Sequence, residues 1–178
     1  MSDNHAALAA SVAPVPITGF CLMLFVTGFV RRVRRSGNAD ATFLSHVGAL
    51  GAILIVAMFS IVVVCRLTLS AMDGSPAMTP PELYELVWHI EAAAFMINVG
   101  LIGIALFGVG GAVARIGLAP RWYKHLSIVG LVLGIIAATP SSAVVNGADG
   151  WQIAFVPFLS WLLLLAIVGT RMVRQPAS

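Results

Sequence analysis

Between Thr42 and Ala71 the chain carries one formal charge, Arg66, and no proline. A run of that character is long enough to cross the hydrocarbon core of a bilayer, which takes about 20 mostly apolar residues as a helix. Lipid offers the backbone no hydrogen-bond partners, so a spanning segment of this kind must be helical. Four further runs meet or approach the same length. They cover Ser11 to Val33, with Pro14 and Pro16 near its start; Pro81 to Ala114; His125 through Thr139, extending to Val145; and Trp151 to Val173, with Pro157 as an expected kink. Thr42 is the expected N-cap of the second helix.

Composition supports the same class. Of 178 residues, 60% are hydrophobic and 10% charged, against about 45–50% and 25% in an ordinary soluble domain. So few charges cannot clothe a water-facing surface, and a mean hydropathy of +0.99 places the outer faces in lipid. The net charge of +3 does not point to nucleic acid, because the basic residues sit in short clusters between the apolar runs. Met1 to Pro14 lacks Lys and Arg ahead of the first run, so the positive region of a secretory signal peptide is missing and the run reads as a retained helix.

Those clusters test the count of spans. The first loop holds Arg31, Arg32, Arg34 and Arg35; the third holds Arg115, Arg121 and Lys124; the tail holds Arg171 and Arg174. The second and fourth loops carry Asp73, followed by Glu82 and Glu85, and Asp149, with no positive charge. Of the ten Lys and Arg, all but Arg66 therefore fall on one side of a five-span chain. By the positive-inside rule that side is cytoplasmic, with the N-terminus outside and the C-terminus inside. Tyr84, Trp88 and Trp151 then lie at the outer interface and Trp122 and Tyr123 at the inner one. The fold class read from the sequence is an all-α polytopic transmembrane bundle forming a single domain.

Small residues indicate how the helices meet. Gly130 and Gly134 form a GxxxG pair extended by Ala138, and the third helix carries several glycines, which permit close backbone approach within the bundle or between copies.

Ionisable groups inside a membrane are costly and mark candidate sites. Arg66 and Glu91 lie at matching depths from the outer end of adjacent helices, so an ion pair is expected between them. Trp88, Glu91, Phe95 and Asn98 share a stripe of the third helix, and Glu85 and His89 share another face. A polar pocket open to the outside would be lined by Arg66, Glu85, His89, Glu91 and Asn98. The simpler alternative is a structural clamp of Arg66 and Glu91 with the others in the wet interface. His46 and His125, near the cytoplasmic ends of the second and fourth helices, make a bis-histidine haem b site on facing helices geometrically conceivable. His125, however, belongs to a basic and aromatic anchor cluster from Arg121 onward.

No catalytic signature is visible. There is no HExxH, GxSxG, P-loop or dinucleotide fingerprint, and Ser141, Ser142 and Ser160 have no base nearby in sequence. Cys21 and Cys65 lie in apolar runs without metal-ligand or disulfide spacing, so no metal site is expected.

The segment Ala105 to Trp122, ALFGVGGAVARIGLAPRW, resembles a pattern in bacterial multi-helix integral membrane proteins of unknown function, in which an apolar helix leads into a cytoplasmic turn of the form GxLPRW. A short glycine-containing helix and a last helix with a Trp and a basic tail follow, matched here by Gly130 to Gly134 and by Trp161, Arg171 and Arg174. The likeness covers Thr42 to Arg174. It implies a bacterial plasma (inner) membrane location and an architecture without a mechanism; those families usually have six helices, one more than is counted here. Three functions are compatible with the sequence: a non-enzymatic accessory or scaffold subunit of a membrane complex, in contact with lipid and other membrane subunits; a small-molecule binder or transporter using the outer pocket; and a b-type haem electron-transfer protein.

Overall fold

The computed structural model describes residues 13–73, 80–139 and 151–174, with the backbone alone at Asp73 and residues 151–155. The expectations for Ser11, Ser141, Ser142, Val145 and Asp149, and for the side chains of Asp73 and Trp151, lie outside the described residues. The described chain is helical, with no strand. Five helices follow in order: α1 (Val15–Arg35), α2 (Ala39–Asp73), α3 (Pro81–Arg115), α4 (Tyr123–Ala137) and α5 (Trp151–Arg174).

Four of these, α1, α2, α3 and α5, are long and apolar enough to cross a membrane. With 35 residues each, α2 and α3 run for about 52 Å at the α-helical rise, well beyond a hydrocarbon core of about 30 Å. The 15 residues of α4 give only about 22 Å. The fourth helix thus starts two residues before His125 and ends, as described, at Ala137, short of the expected length.

Local chemistry explains the boundaries. The α1–α2 turn reverses at Gly37, whose φ of +70° favours a residue without Cβ. Asn38 then accepts the amide of Ala41 at 2.9 Å and caps α2, so the helix begins one turn before the expected cap at Thr42, whose hydroxyl instead donates back to the Asn38 carbonyl. Helix α3 opens on Pro81, where a missing N–H is harmless. It closes in a Schellman turn: Gly117 has φ +73°, and the amide of Leu118 reaches back to the carbonyl of Val113 at 2.9 Å. Leu118 and Ala119 are buried in the core beside this turn.

Helix α3 is the axis of the bundle. It packs against α2, α4 and α5, while α1 lies against α2 and α5 bridges to α4. The α2–α3 contact is antiparallel and near its basic end passes through glycine: a Cβ on Gly48 would lie 2.6 Å from the Val109 amide nitrogen, and one on Gly51 would lie 2.8 Å from that of Ala105. Gly108 faces Gly48 backbone to backbone. On the opposite side of α3, Gly103 meets the backbones of Gly130 and Gly134, and Gly100 faces Ala138. The small stripe of α4 is therefore turned inward onto α3.

Tyr123 departs from its expected place. It is fully buried at the start of α4, and its hydroxyl donates to the backbone carbonyl of Ser160 on α5. The neighbouring Trp122 stays exposed, so the aromatic pair divides into one interhelical strut and one surface ring. At the same end, Arg171 Nη1 donates to the Gly117 carbonyl at 3.4 Å, and Met172 approaches Gly28 of α1. These contacts gather the three basic clusters at one end of the bundle.

Candidate functional site

Helix α2 is apolar around its whole circumference, and lipid-facing and protein-facing sides differ little in hydrophobicity. The polar residues that interrupt this background are therefore the informative ones. Arg66 lies in the last third of α2 and Glu91 in the third turn of α3, and the antiparallel register set by Gly48 and Gly51 brings them level. Arg66 Nε donates to Glu91 Oε1 at 2.8 Å. Glu91 is buried and Arg66 half-buried. A carboxylate taken out of water needs a charge partner and donors to compensate its lost hydration, and Arg66 supplies both.

Asn98 follows Glu91 by two turns of the same face, about 10 Å along the helix axis. It is buried, and its Oδ1 has no hydrogen-bond partner among the described residues. A buried amide oxygen left without a donor costs about 1–3 kcal/mol, so this atom is a place where a donor would be accommodated favourably. Between the two, Phe95 packs on Val99 and Ala137.

Glu85 and His89 are exposed in the first turns of α3. The structure thus unites Arg66 with Glu91, sets Asn98 on the same stripe, and leaves Glu85 and His89 at the rim, outside the buried polar set. Trp88, the outermost member of the stripe, is exposed as well.

The two histidines are not brought onto a shared face. His46 is exposed, with Nδ1 2.8 Å from the Thr42 carbonyl, and it lines a groove between α1 and α2. His125 is exposed in the first turn of α4. Helices α2 and α4 pack on opposite faces of α3, the first through Ala105, Gly108 and Val109, the second through Gly100, Gly103 and Leu106. Among the described residues, no group of three or more His, Cys, Asp or Glu could hold a metal ion.

Sequence reasoning missed two elements of this geometry. Gly48 and Gly51 make the close α2–α3 approach near the basic end, and the small-residue segment GALGA over Gly48 to Ala52 was the available signal. The other is the α1–α2 groove, where Arg31, Arg34 and Arg35 sit at one mouth. Comparison with protein-family models, with curated proteins and with solved structures found no match to this chain.

Proposed function

We propose that this chain is a non-enzymatic accessory or scaffold subunit of a bacterial plasma-membrane complex, crossing the bilayer five times with its N-terminus outside and its C-terminus in the cytoplasm. The observation that carries the reading is the Arg66–Glu91 pair, in which the one charge within the apolar run of α2 is answered directly by its partner on α3. Arg66 is 27 residues from the first residue of α2, about 40 Å at the helical rise. With the basic end at the inner surface, that distance carries the pair across most of a bilayer about 40–45 Å thick including headgroups. A clamp at the outer interface, holding the two longest helices in register, is a structural role. The small-residue contacts of α3 with α2 and α4 add to it, because close van der Waals packing is how helices associate in lipid.

The resemblance of Gly117 to Trp122 to the cytoplasmic turn of bacterial membrane proteins supports the same sidedness, with the basic end inward. The fifth crossing in this reading is α4, a shorter apolar helix than the four that are long enough to span on length and hydropathy alone. Extraction from the native membrane in mild detergent tests the assignment: partner subunits at fixed stoichiometry are the expected result, and a monodisperse chain purified alone would overturn it.

A second reading, a small-molecule site open to the outside, is favoured by one atom, the unpartnered Oδ1 of Asn98 beneath the ion pair. Glu85 and His89 would form its rim. Small-molecule uptake that persists unchanged in a folded Arg66→Ala, Glu91→Ala double variant would remove this reading.

A further inference from the structure

The surface between α1 and α2 carries a groove of about 750 Å³. Its mouth is formed by Arg31, Arg34 and Arg35 of α1 with His46 of α2, and its floor by Val26, Val30 and Ala49. A second hollow of about 200 Å³ continues it toward Leu22, Met23 and Ala52. The two share Val26, Thr27 and Ile53, so they form one channel, cationic at one end and apolar along the rest.

On α1 this lining repeats at four-residue steps, Met23, Thr27, Arg31 and Arg35 in one row and Leu22, Val26, Val30 and Arg34 in the next. Residues at that spacing lie one above another on a helix, so the channel follows the helix axis. From Leu22 to Arg35 it runs about 20 Å. One leaflet of a bilayer, with its headgroups, is about 20–22 Å deep. The three guanidiniums meet the level of the lipid phosphates when the apolar end reaches toward the midplane, and each can chelate a phosphate with two donors.

We infer that the α1–α2 groove holds one anionic phospholipid, its phosphate among Arg31, Arg34 and Arg35 and an acyl chain along Leu22, Met23 and Ile53. The inference rests on the membrane reading and is independent of the subunit assignment: a site without lipid would leave that assignment standing. Length, polarity gradient and charge all match this occupant, whereas a free anion would use the cationic mouth alone. The bound chain occupies the groove between the two helices, making the lipid a packing element of α1.

Native mass spectrometry of the full chain, released from detergent micelles supplied with phosphatidylglycerol or phosphatidylcholine of identical chains, tests it. One phosphatidylglycerol retained per chain, preferred over phosphatidylcholine by about tenfold or more as expected for several arginines, is the predicted result. Equal retention of the two lipids would overturn it. Arg31→Gln, Arg34→Gln, Arg35→Gln should abolish the preference. Because removing three arginines can also disturb insertion, Thr27→Trp is the companion variant. It keeps every charge, blocks the channel where its two hollows join, and should lose the retained lipid; retention equal to the parent chain overturns the acyl-chain placement. Displacement of the phospholipid by millimolar inorganic phosphate would reassign the mouth to a free anion, and an undisturbed complex supports the lipid.

Discussion

Arg66 Nε and Glu91 Oε1 stand 2.8 Å apart across the α2–α3 contact, with unequal burial: the carboxylate side chain is 8% exposed and the guanidinium side chain 34%. Loss of the two partners should therefore have unequal effects. Arg66→Leu strands a buried carboxylate without its charge partner, while Glu91→Leu leaves a guanidinium that can still turn toward solvent. We expect Arg66→Leu to destabilise the bundle by about 2–3 kcal/mol, below the 3–5 of a fully enclosed pair because one partner is partly solvated, and Glu91→Leu by about 1 kcal/mol. The double variant should recover most of the loss. A double-mutant cycle on unfolding in detergent checks this, and strictly additive losses would show that the pair is not coupled.

The glycine contacts make a sharper steric prediction. Gly48→Ala places a methyl 2.6 Å from the Val109 backbone nitrogen, where only a shift of the whole helix can relieve it, so a loss of about 2 kcal/mol or more is expected. Gly28→Ala meets nothing closer than Met172 Cε at 3.9 Å and should be neutral or stabilising by up to about 1 kcal/mol through helix propensity. Thermal unfolding of the two variants side by side separates packing from any general effect of losing a glycine.

Tyr123→Phe removes one hydroxyl and little volume. The Ser160 carbonyl loses its added donor, and a cost of about 1 kcal/mol is expected. The loss should localise to the α4–α5 contact, with faster amide exchange in α5 around Ser160 and little change in α2.

Asn98→Leu discriminates between the two functional readings. If the Oδ1 atom has no donor, replacing the amide by an apolar group of similar size relieves a desolvation cost and should be neutral or stabilising by about 1 kcal/mol. A marked destabilisation, or loss of a co-purifying small molecule, would show that a donor occupies that position.

Sidedness is open to direct labelling. In a chain with Cys21 and Cys65 replaced by alanine, a membrane-impermeant thiol reagent on intact cells should label Glu82→Cys and spare Ser36→Cys. The opposite pattern would invert the assigned topology.

The helices were legible because length and hydropathy alone report them, and α3 and α5 begin and end within a residue of where the sequence places them. The level of Arg66 with Glu91 was also legible, since charges are rare enough in these runs for depth to be counted in turns. The faces were not. A helix apolar on every side has no polar stripe to show which side meets protein and which meets lipid, so neither the inward turn of Tyr123 nor the Gly48–Gly108 contact was marked by periodicity. The α2 cap was misplaced by one turn because Asn38 and Thr42 are both competent cap residues, and the backbone reversal at Gly37 decides between them.

The Gly48–Gly108 crossing also sets how the bundle should respond to heat. Surfaces joined there come out of lipid rather than water, so separating them orders little new water and carries little of the heat-capacity increase that bends the stability curve of a soluble domain. Helix separation in α2 and α3 should then follow a nearly straight free-energy line with temperature, with no cold-side maximum, and the contact should hold its strength near freezing, where a water-driven core begins to weaken.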